Sequence, residues 1–289
     1  MKKLISLYLI LIIVTGCKKD SEQTDLSLKK LKSISTTTSY PTSQKITFSY
    51  DQSGNLEQAK KYVDGVLKSY LEYKYDVGGL INVKSYLKGS SSATFDLIAN
   101  IKFAYTSNKL TELSIVPVNP NNSLQPTRYI FEYSSGEIPN KFSLSLADGS
   151  IANAGYSYIL TTPFSSVQFV NNPGSPRGWI ITLPYYAQPY DLTLVTSDFR
   201  YQFDDKHNPF YKLPWIDMEY VLNNELAYVF DATGYFGLNN KVETAVYLNN
   251  SLSYVYNDNY EYLPNGQPSK RVCLQSPTNF KSETTYEYW

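Results

Sequence analysis

The chain has 289 residues, in which 26 lysines and arginines balance 26 aspartates and glutamates, and 28 residues are tyrosines. This length suits one sizeable domain. No block of basic residues stands out, which excludes the usual electrostatic surface of a nucleic-acid-binding protein, and no nucleic-acid partner is expected.

The N-terminus has the three parts of an export signal. Lys2 and Lys3 make it positively charged, and residues 4–14 are almost wholly apolar. This run is shorter than the roughly 20 residues that a transmembrane helix needs. Val14-Thr15-Gly16-Cys17 is typical of a lipobox, in which a cysteine follows small residues and its sulfur takes a diacylglycerol. We predict that residues 1–16 are a signal peptide and that Cys17 is lipidated, with the membrane as a partner. An ordinary secretory signal is the alternative.

The residues after the lipobox indicate where the lipid holds the protein. Lys18 takes the place of the aspartate that commonly retains lipoproteins in the inner membrane, which favours the outer membrane. Residues 18–22 partly resemble the export signal of surface lipoproteins in Bacteroidetes, so cell-surface and periplasmic orientations both stay open. Residues 17–40 are polar, and we predict a flexible tether there. A first strand that begins near Leu31 is the alternative.

From Pro41 onward, apolar and polar residues alternate in short runs. A period of two predicts strands with an aromatic face on a core and a polar face toward water. No long stretch has a helical period, so we predict an all-β fold in which residues 41–289 form a single domain. The alternating residues are Ile46, Phe48 and Tyr50; Leu71, Tyr73 and Tyr75; Ile101, Phe103 and Tyr105; Tyr129, Phe131 and Tyr133; Leu226, Tyr228 and Phe230; Leu252, Tyr254 and Tyr256; Tyr286 and Tyr288.

Aspartate and glycine mark the turns between these strands. Asp51–Gly54 and Asp231–Gly234 suit a type I turn followed by a left-handed glycine, and Asp76–Gly79 is similar. Because such pieces recur about every 25 to 30 residues, we predict sequential hairpins that pair as a meander. Residues 156–194 hold five prolines and predict long loops or edge strands. Further reversals are predicted at Asp64-Gly65, Asp148-Gly149 and Asn265-Gly266.

Tyr50-Asp51-x-x-Gly54-Asn55-Leu56, with Asp64-Gly65 downstream, resembles a YD repeat, the unit of Rhs and teneurin-type shells. With the lipobox, the segment Phe203–Phe210 and the C-terminal Thr-Tyr-Glu-Tyr-Trp, the chain resembles small YD-repeat lipoproteins of Bacteroidetes. They are a family of unknown function with a porin-like, curled β fold. This resemblance implies an antiparallel meander of YD-like hairpins that forms one curled sheet or an incomplete barrel. A shell that encloses a toxin is not expected from a chain of this length.

A membrane-spanning barrel makes a separate demand on the sequence. Its strands need apolar residues at every lipid-facing position. The positions that we predict to face outward include Lys60, Lys61, Lys84 and Glu132. We therefore predict that the sheet is not transmembrane.

The sequence offers little catalytic chemistry. His207 is the only histidine, and no nucleophile elbow, phosphate-binding glycine loop or paired-histidine zinc motif is present. A metal site at His207 with Asp204 and Asp205 is less favoured than a turn in which aspartate bonds its own backbone. Cys273 lies in an apolar context, has no partner once Cys17 is acylated, and is predicted to be buried rather than reactive. We predict no catalytic residue, no metal, no cofactor and no enzymatic activity.

Aromatic residues cluster with prolines in the irregular middle of the chain. Flat aromatic faces on rigid loops are what carbohydrate and peptide binders use, and cover for a sheet edge or the core is the alternative. We predict a non-catalytic, lipid-anchored module of the cell envelope that binds a glycan or a protein. A purely structural envelope protein and an unrecognised hydrolase are alternatives. The candidate ligand-binding residues are Trp179, Tyr185, Tyr186, Tyr190 and Trp215.

Overall fold

The structure is a computed structural model. It describes residues 27–39, 42–89, 93–118, 127–133, 139, 141–146, 150–153, 156–159, 164–168, 178–186, 194–216, 235–248 and 251–289, with the backbone alone for residues 127 and 141–199. These residues form 18 strands, and no helix among them is long and apolar enough to cross a membrane. The strands are β1 (Leu31–Thr38), β2 (Ser43–Tyr50), β3 (Leu56–Val63), β4 (Val66–Asp76), β5 (Gly79–Lys88), β6 (Phe95–Thr106), β7 (Lys109–Pro117), β8 (Thr127–Glu132), β9 (Lys141–Leu146), β10 (Ser150–Asn153), β11 (Tyr156–Ile159), β12 (Phe164–Gln168), β13 (Gly178–Tyr186), β14 (Leu194–His207), β15 (Asn239–Leu248), β16 (Ser251–Tyr262), β17 (Pro268–Ser276) and β18 (Phe280–Tyr288).

Sixteen of these strands form one antiparallel sheet, in which most strands pair with their neighbours in sequence. The hydrogen-bonded order is β12-β9-β8-β7-β6-β5-β4-β3-β2-β1-β18-β17-β16-β15-β14-β13, and β10 and β11 pair separately. The first strand therefore lies beside the last one, in the middle of the sheet. The two end strands, β12 and β13, also lie near each other in space, so the sheet curls. The predicted all-β antiparallel meander in one curled sheet is confirmed.

The predicted tether extends too far along the chain. Leu31–Thr38 form β1, which pairs with β2 on one side and β18 on the other. The alternative, a first strand that begins near Leu31, is the one that the structure shows. Because most residues of β1 are serines, threonines and lysine, its sequence was interpreted as a polar tether. Leu31 and Ile34 are nevertheless buried in the core. Residues 1–26, with the predicted signal peptide and Cys17, lie outside the described residues.

Three hairpins share one irregularity at the same place. Tyr50, Tyr75 and Tyr105 each stand near the end of a strand and pair with a leucine that follows the turn. Directly after each leucine the facing strand holds one extra residue, and such bulges increase the local twist of a sheet. Their repetition in successive hairpins curls the sheet in one direction. The extra residues are Glu57, Ile81 and Thr111.

Tyr50, and Tyr133 directly after β8, also bond the neighbouring strand. The hydroxyl of Tyr50 donates to the carbonyl of Leu31 at 2.9 Å, and the hydroxyl of Tyr133 donates to the carbonyl of Leu110 at 2.7 Å. In both cases the lysine that precedes the leucine lies over the tyrosine ring, with Nζ 5.2 Å from the ring centroid. Burial raises the pKa of Tyr50 to about 12, so its hydroxyl stays a donor at neutral pH. Tyrosine suits this role because its ring is apolar and its tip is polar.

The turn residues adopt the conformations that their identities predict. Gly54 has a φ of 85°, and the side chain of Asp51 accepts a hydrogen bond from the Asn55 amide at 2.8 Å. Asp64 and Gly65 both have positive φ, at 49° and 75°, which is typical of a type I′ hairpin. The turns at Asp51–Gly54, Asp64-Gly65, Asp76–Gly79 and Asn265-Gly266 are confirmed, whereas Asp148-Gly149 and Asp231–Gly234 lie outside the described residues.

The proline-rich middle supplies edge strands, as predicted. β12 and β13 stand at the two ends of the sheet. Pro184 lies within β13, where a missing backbone donor is tolerated because only one side of the strand is paired. The strand predicted at Leu226, Tyr228 and Phe230 lies outside the described residues.

The core lies mainly on the inner face of β1 to β8, with contributions from β14 and β18. This face is covered by what we call the inner segment, residues 208–216 and 235–238, which belongs to the connection between β14 and β15. Trp215 packs edge-on against Phe48, with ring centroids 6.1 Å apart. Phe236 packs in the same way against Phe131 at 5.4 Å. The most deeply buried apolar residues of the inner face are Val83, Ala99, Ile101, Leu113, Ile115 and Tyr129.

Two residues lie on the opposite face from the one predicted. Lys61 was predicted to face outward, but it is buried on the inner face, two residues after the core residue Ala59. Leu252 was predicted to face the core, but it is 56% exposed. The register shift between Val246 and Tyr247 moves Leu252 to the outward face. For Leu252 the cause is this shift, since a bulge inverts the face of every residue beyond it.

Candidate functional site

Three of the predicted binding residues, Trp179, Tyr185 and Tyr186, lie on β13 at one end of the sheet. β13 pairs with β14 in regular register along its whole length. Because alternate residues of a strand belong to opposite faces, Trp179 and Tyr185 occupy positions of one face, and Tyr186 occupies a position of the other. Tyr190 lies outside the described residues, as does Cys17.

Trp215 lies in the inner segment rather than at the sheet end. Besides packing on Phe48, it lines a small pocket at the inner face of β3 and β4, together with Lys61 and Ile216. The structure therefore places Trp215 over the core, which is the alternative given above for the aromatic residues of this region.

The segment before His207 is the irregular end of β14, and Asp204 organises it. The Asp204 carboxylate accepts hydrogen bonds from the backbone amides of Lys206 at 2.9 Å and Asn240 at 3.0 Å, and also from the hydroxyl of Tyr262. The structure thus shows the predicted bond between an aspartate and its own backbone, but at the end of a strand rather than in a turn. Among the described residues, no three His, Cys, Asp or Glu side chains come close enough to hold a metal ion.

His207 gives a prediction for the pH dependence of stability. Desolvation by burial lowers its pKa from 6.5, so the unfolded chain takes up a proton before the folded protein does as the pH falls. We expect the free energy of unfolding to be independent of His207 above about pH 7.5 and to decrease as the pH falls through 6.5. Urea unfolding of the wild type and of His207→Gln at pH 7.5 and 6.0 measures this. An equal decrease in both proteins would contradict the assignment, because the chain has no other histidine.

Cys273 is buried, as predicted. Burial raises the pKa of its thiol to about 11. The thiol therefore stays protonated at neutral pH, and a protonated thiol is a poor nucleophile.

An aromatic cluster lies on the outward face of β4, β5 and β6. The rings of Tyr70 and Tyr86 stack, with centroids 4.5 Å apart and an interplanar angle of 11°, and Phe95 stands edge-on to Tyr70 at 5.2 Å. We call these three residues the outer aromatic cluster. Tyr70 directly precedes the buried Leu71, so it belongs to the face that points away from the core. All three rings remain partly exposed.

Cross-strand pairing holds the outer aromatic cluster in place. Tyr70 stands between Lys60 on β3 and Tyr86 on β5. A register shift between Ser85 and Tyr86 determines which residues of β6 lie opposite this part of β5. It thereby fixes the position of Phe95. Each of these strands is hydrogen-bonded on both sides. A ligand would therefore meet rings that are already ordered, which reduces the entropy cost of binding.

Charged residues border the outer aromatic cluster. Desolvation, together with a hydrogen bond to Glu72, raises the pKa of the Tyr86 hydroxyl, and desolvation raises that of Tyr70. Both hydroxyls are therefore protonated at neutral pH. Lys84 stands opposite Glu72 in the next cross-strand row. The cluster thus combines apolar ring faces with hydroxyl, carboxylate and ammonium groups that can hydrogen-bond a polar ligand.

Sequence reasoning missed this cluster. It considered the aromatic residues at the strand positions that face the core. Tyr70 and Tyr86 occupy the alternate positions, which face outward, and were not considered. A signal was present, because both flank the predicted turn Asp76–Gly79 at nearly equal distance. Tyr70 is six residues before Asp76, and Tyr86 is seven residues after Gly79. The difference is made by the bulge at Ile81, which spacing alone does not reveal.

No family model matches the sequence, and no curated protein matches it. The fold is similar to a porin-like protein from Bacteroides uniformis ATCC 8492, with a TM-score of 0.54 and 11% sequence identity over 90% of this chain and 96% of that one. A porin-like protein from Bacteroides vulgatus ATCC 8482 aligns with a lower TM-score of 0.43 and 9% identity, over 91% of this chain and 99% of that one. The first likeness shows a shared fold alone. Membership of the YD-repeat family stays a prediction.

Proposed function

We propose that this protein is a non-catalytic module of the bacterial cell envelope, held at the outer membrane by a lipid on Cys17, and that it binds a glycan. The observation that carries the proposal is the outer aromatic cluster, in which partly exposed rings stand on a rigid sheet away from the core. The lipobox in the sequence supports the envelope location. So does the fold shared with a porin-like protein from Bacteroides.

A glycan fits the chemistry of the outer aromatic cluster. Sugar rings present apolar C–H patches and many hydroxyl groups, and tyrosine offers an apolar ring with a polar tip. Glu72 beside Tyr86 and Lys60 beside Tyr70 supply an acceptor and a donor at the border of the rings. A protein ligand would also use such rings. An affinity pull-down therefore accompanies the glycan experiment.

The test is a glycan array probed with the wild-type protein and with the double variant Tyr70→Ala/Tyr86→Ala. We expect binding to a subset of glycans, and we expect the double variant to bind these at least about tenfold more weakly. Tyr254→Ala is the matched control, because Tyr254 is also a partly exposed tyrosine of a strand. Unchanged binding by the double variant overturns the site. No ligand on the array and none in the pull-down would favour a purely structural envelope protein.

The lipid anchor makes a prediction of its own. Cys17→Ser removes the sulfur that takes the diacylglycerol, so we expect the variant to leave the membrane fraction, while mass spectrometry of the wild-type N-terminus should show acyl chains on Cys17. An unmodified N-terminus in the wild type would contradict the anchor. Protease treatment of intact cells then separates the two orientations, because only a surface-exposed protein is digested.

A further inference from the structure

The inner face of the sheet changes character from one half to the other. On β2 to β8 it is mostly apolar and lies beneath the inner segment. On β1, β18, β17 and β16 it carries a cross-strand row of polar residues, in the order Thr36, Thr284, Arg271 and Tyr260. A core does not require a charge at such a position, since apolar residues are buried at lower cost. The presence of a charged residue, Arg271, on this half of the inner face therefore needs a functional explanation.

A buried carboxylate holds Arg271 in place. Its Nε donates to Oδ1 of Asp258 at 2.8 Å, and the side chain of Asp258 is only 3% exposed. Asp258 stands opposite the buried Cys273 in the neighbouring cross-strand row. The arginine thus has a partner that is enclosed by protein, and its side chain has one preferred orientation.

The side chain of Arg271 nevertheless remains partly accessible. The side chain of Arg271 is 33% exposed, although Asp258 and Cys273 beside it are buried. The donor at Nε bonds Asp258, and the guanidinium also hydrogen-bonds the side chains of Tyr286 and Cys273. Because a guanidinium carries five N–H donors in one plane, donors remain for a ligand. A planar guanidinium that is held in one orientation and is partly accessible can recognise a carboxylate through hydrogen bonds from its remaining donors.

Tyrosine rings form the wall beside this guanidinium. Tyr260 pairs directly with Arg271, and its ring stacks on Tyr262 with centroids 5.8 Å apart and an interplanar angle of 23°. Both rings are partly exposed. Aromatic walls with a few fixed polar groups are typical of small-molecule sites. Rings with hydroxyl tips complement the mixed apolar and polar faces of a sugar.

We propose that this half of the inner face binds the carboxylate of an acidic sugar. Arg271 holds the carboxylate, and Asp258 is a positioning residue that fixes the guanidinium. The site lies on the face opposite to the outer aromatic cluster and does not rest on the ligand proposed there.

The test uses the full chain, purified from membranes in detergent and titrated calorimetrically with trigalacturonate, with its methyl ester and with acetate. We expect trigalacturonate to bind and the uncharged ester to bind at least about tenfold more weakly, because a charge-assisted hydrogen bond is lost. Acetate at equal concentration should not compete, since it offers nothing to the tyrosines. Arg271→Lys keeps a cation beside Asp258 but lacks the planar guanidinium, and should weaken trigalacturonate binding about tenfold.

Arg128→Lys is the matched control and should bind trigalacturonate like the wild type, because Arg128 pairs with Glu112 elsewhere on the sheet. Tyr260→Phe keeps the ring and removes the hydroxyl, and should weaken binding about fivefold even if Arg271→Lys fails to fold. The double variant Tyr70→Ala/Tyr86→Ala should retain trigalacturonate binding, which separates this proposal from that for the outer aromatic cluster. Absence of binding to the wild type, equal binding of acid and ester, or full binding by Arg271→Lys would overturn the proposal.

Discussion

Arg271→Met is expected to lower the free energy of unfolding by about 3 kcal/mol at neutral pH, because it leaves the buried Asp258 carboxylate without its partner. The Asp258 carboxylate is enclosed by protein, and the substitution removes the guanidinium that donates to it at 2.8 Å. Methionine fills much of the volume of the arginine stem, so the loss reports the charge pair rather than a cavity. Urea unfolding followed by circular dichroism measures it.

Arg128→Met is the matched control for this substitution. Arg128 also pairs with a carboxylate, that of Glu112, but its own side chain is 51% exposed. Exposed ion pairs contribute less than about 1 kcal/mol, so the control should stay close to the wild type. Equal losses in both variants would show that the Asp258 pair is no more buried than the Glu112 pair, and would contradict the description of the inner face.

Trp215→Ala is expected to lower the free energy of unfolding by about 3 kcal/mol, because its ring packs on Phe48 and ties the inner segment to the sheet. Removing the ring leaves the apolar face of β2 and β3 without its cover. Hydrogen exchange should then quicken in β2 and β3 before it does so in β16 and β17, since only the first two lie beneath Trp215. Urea unfolding and hydrogen exchange with mass spectrometry measure the two effects.

Trp289→Ala supplies the control for the tryptophan substitution. Trp289 is 63% exposed and has Lys32 Nζ at 5.0 Å from its ring centroid. Its loss should cost less than about 1 kcal/mol. A stable Trp215→Ala variant that no longer binds a glycan would contradict the core role and restore the predicted binding role of Trp215.

The fold could be predicted from local signals because each strand carries its own pattern. The alternation at Ile46, Phe48 and Tyr50 requires only that one face be buried, and the pair Asp64-Gly65 requires only a backbone with positive φ. Sequential hairpins then pair with no long-range information. The confirmed meander follows from signals that span fewer than about a dozen residues.

What could not be predicted depends on contacts between distant parts of the chain. The pairing of β1 with β18 joins the first strand of the described residues to the last one, and no local pattern encodes it. The inner segment lies between β14 and β15 but packs on Phe48 and Phe131, far away in sequence. Lys61 was assigned to the wrong face because its burial depends on that same cover.

The candidate site was harder to predict than the fold. Aromatic composition pointed to β13 and Trp215, because prolines mark that region as irregular. The outer aromatic cluster arises instead from two ordinary strands whose bulged register brings Tyr70 and Tyr86 together. In a chain with 28 tyrosines, the number of rings does not distinguish a core tyrosine from a surface one. Register does.

The most direct measurement is hydroxyl-radical footprinting, read by mass spectrometry, with and without the tightest glycan from the array. Tyr70, Tyr86 and Phe95 should be oxidised in the free protein and protected in the complex, while the buried Tyr129 stays unreactive in both. Such protection would place the ligand on the outward face of β4 to β6. Unchanged oxidation of the three rings in a saturated complex would contradict the account.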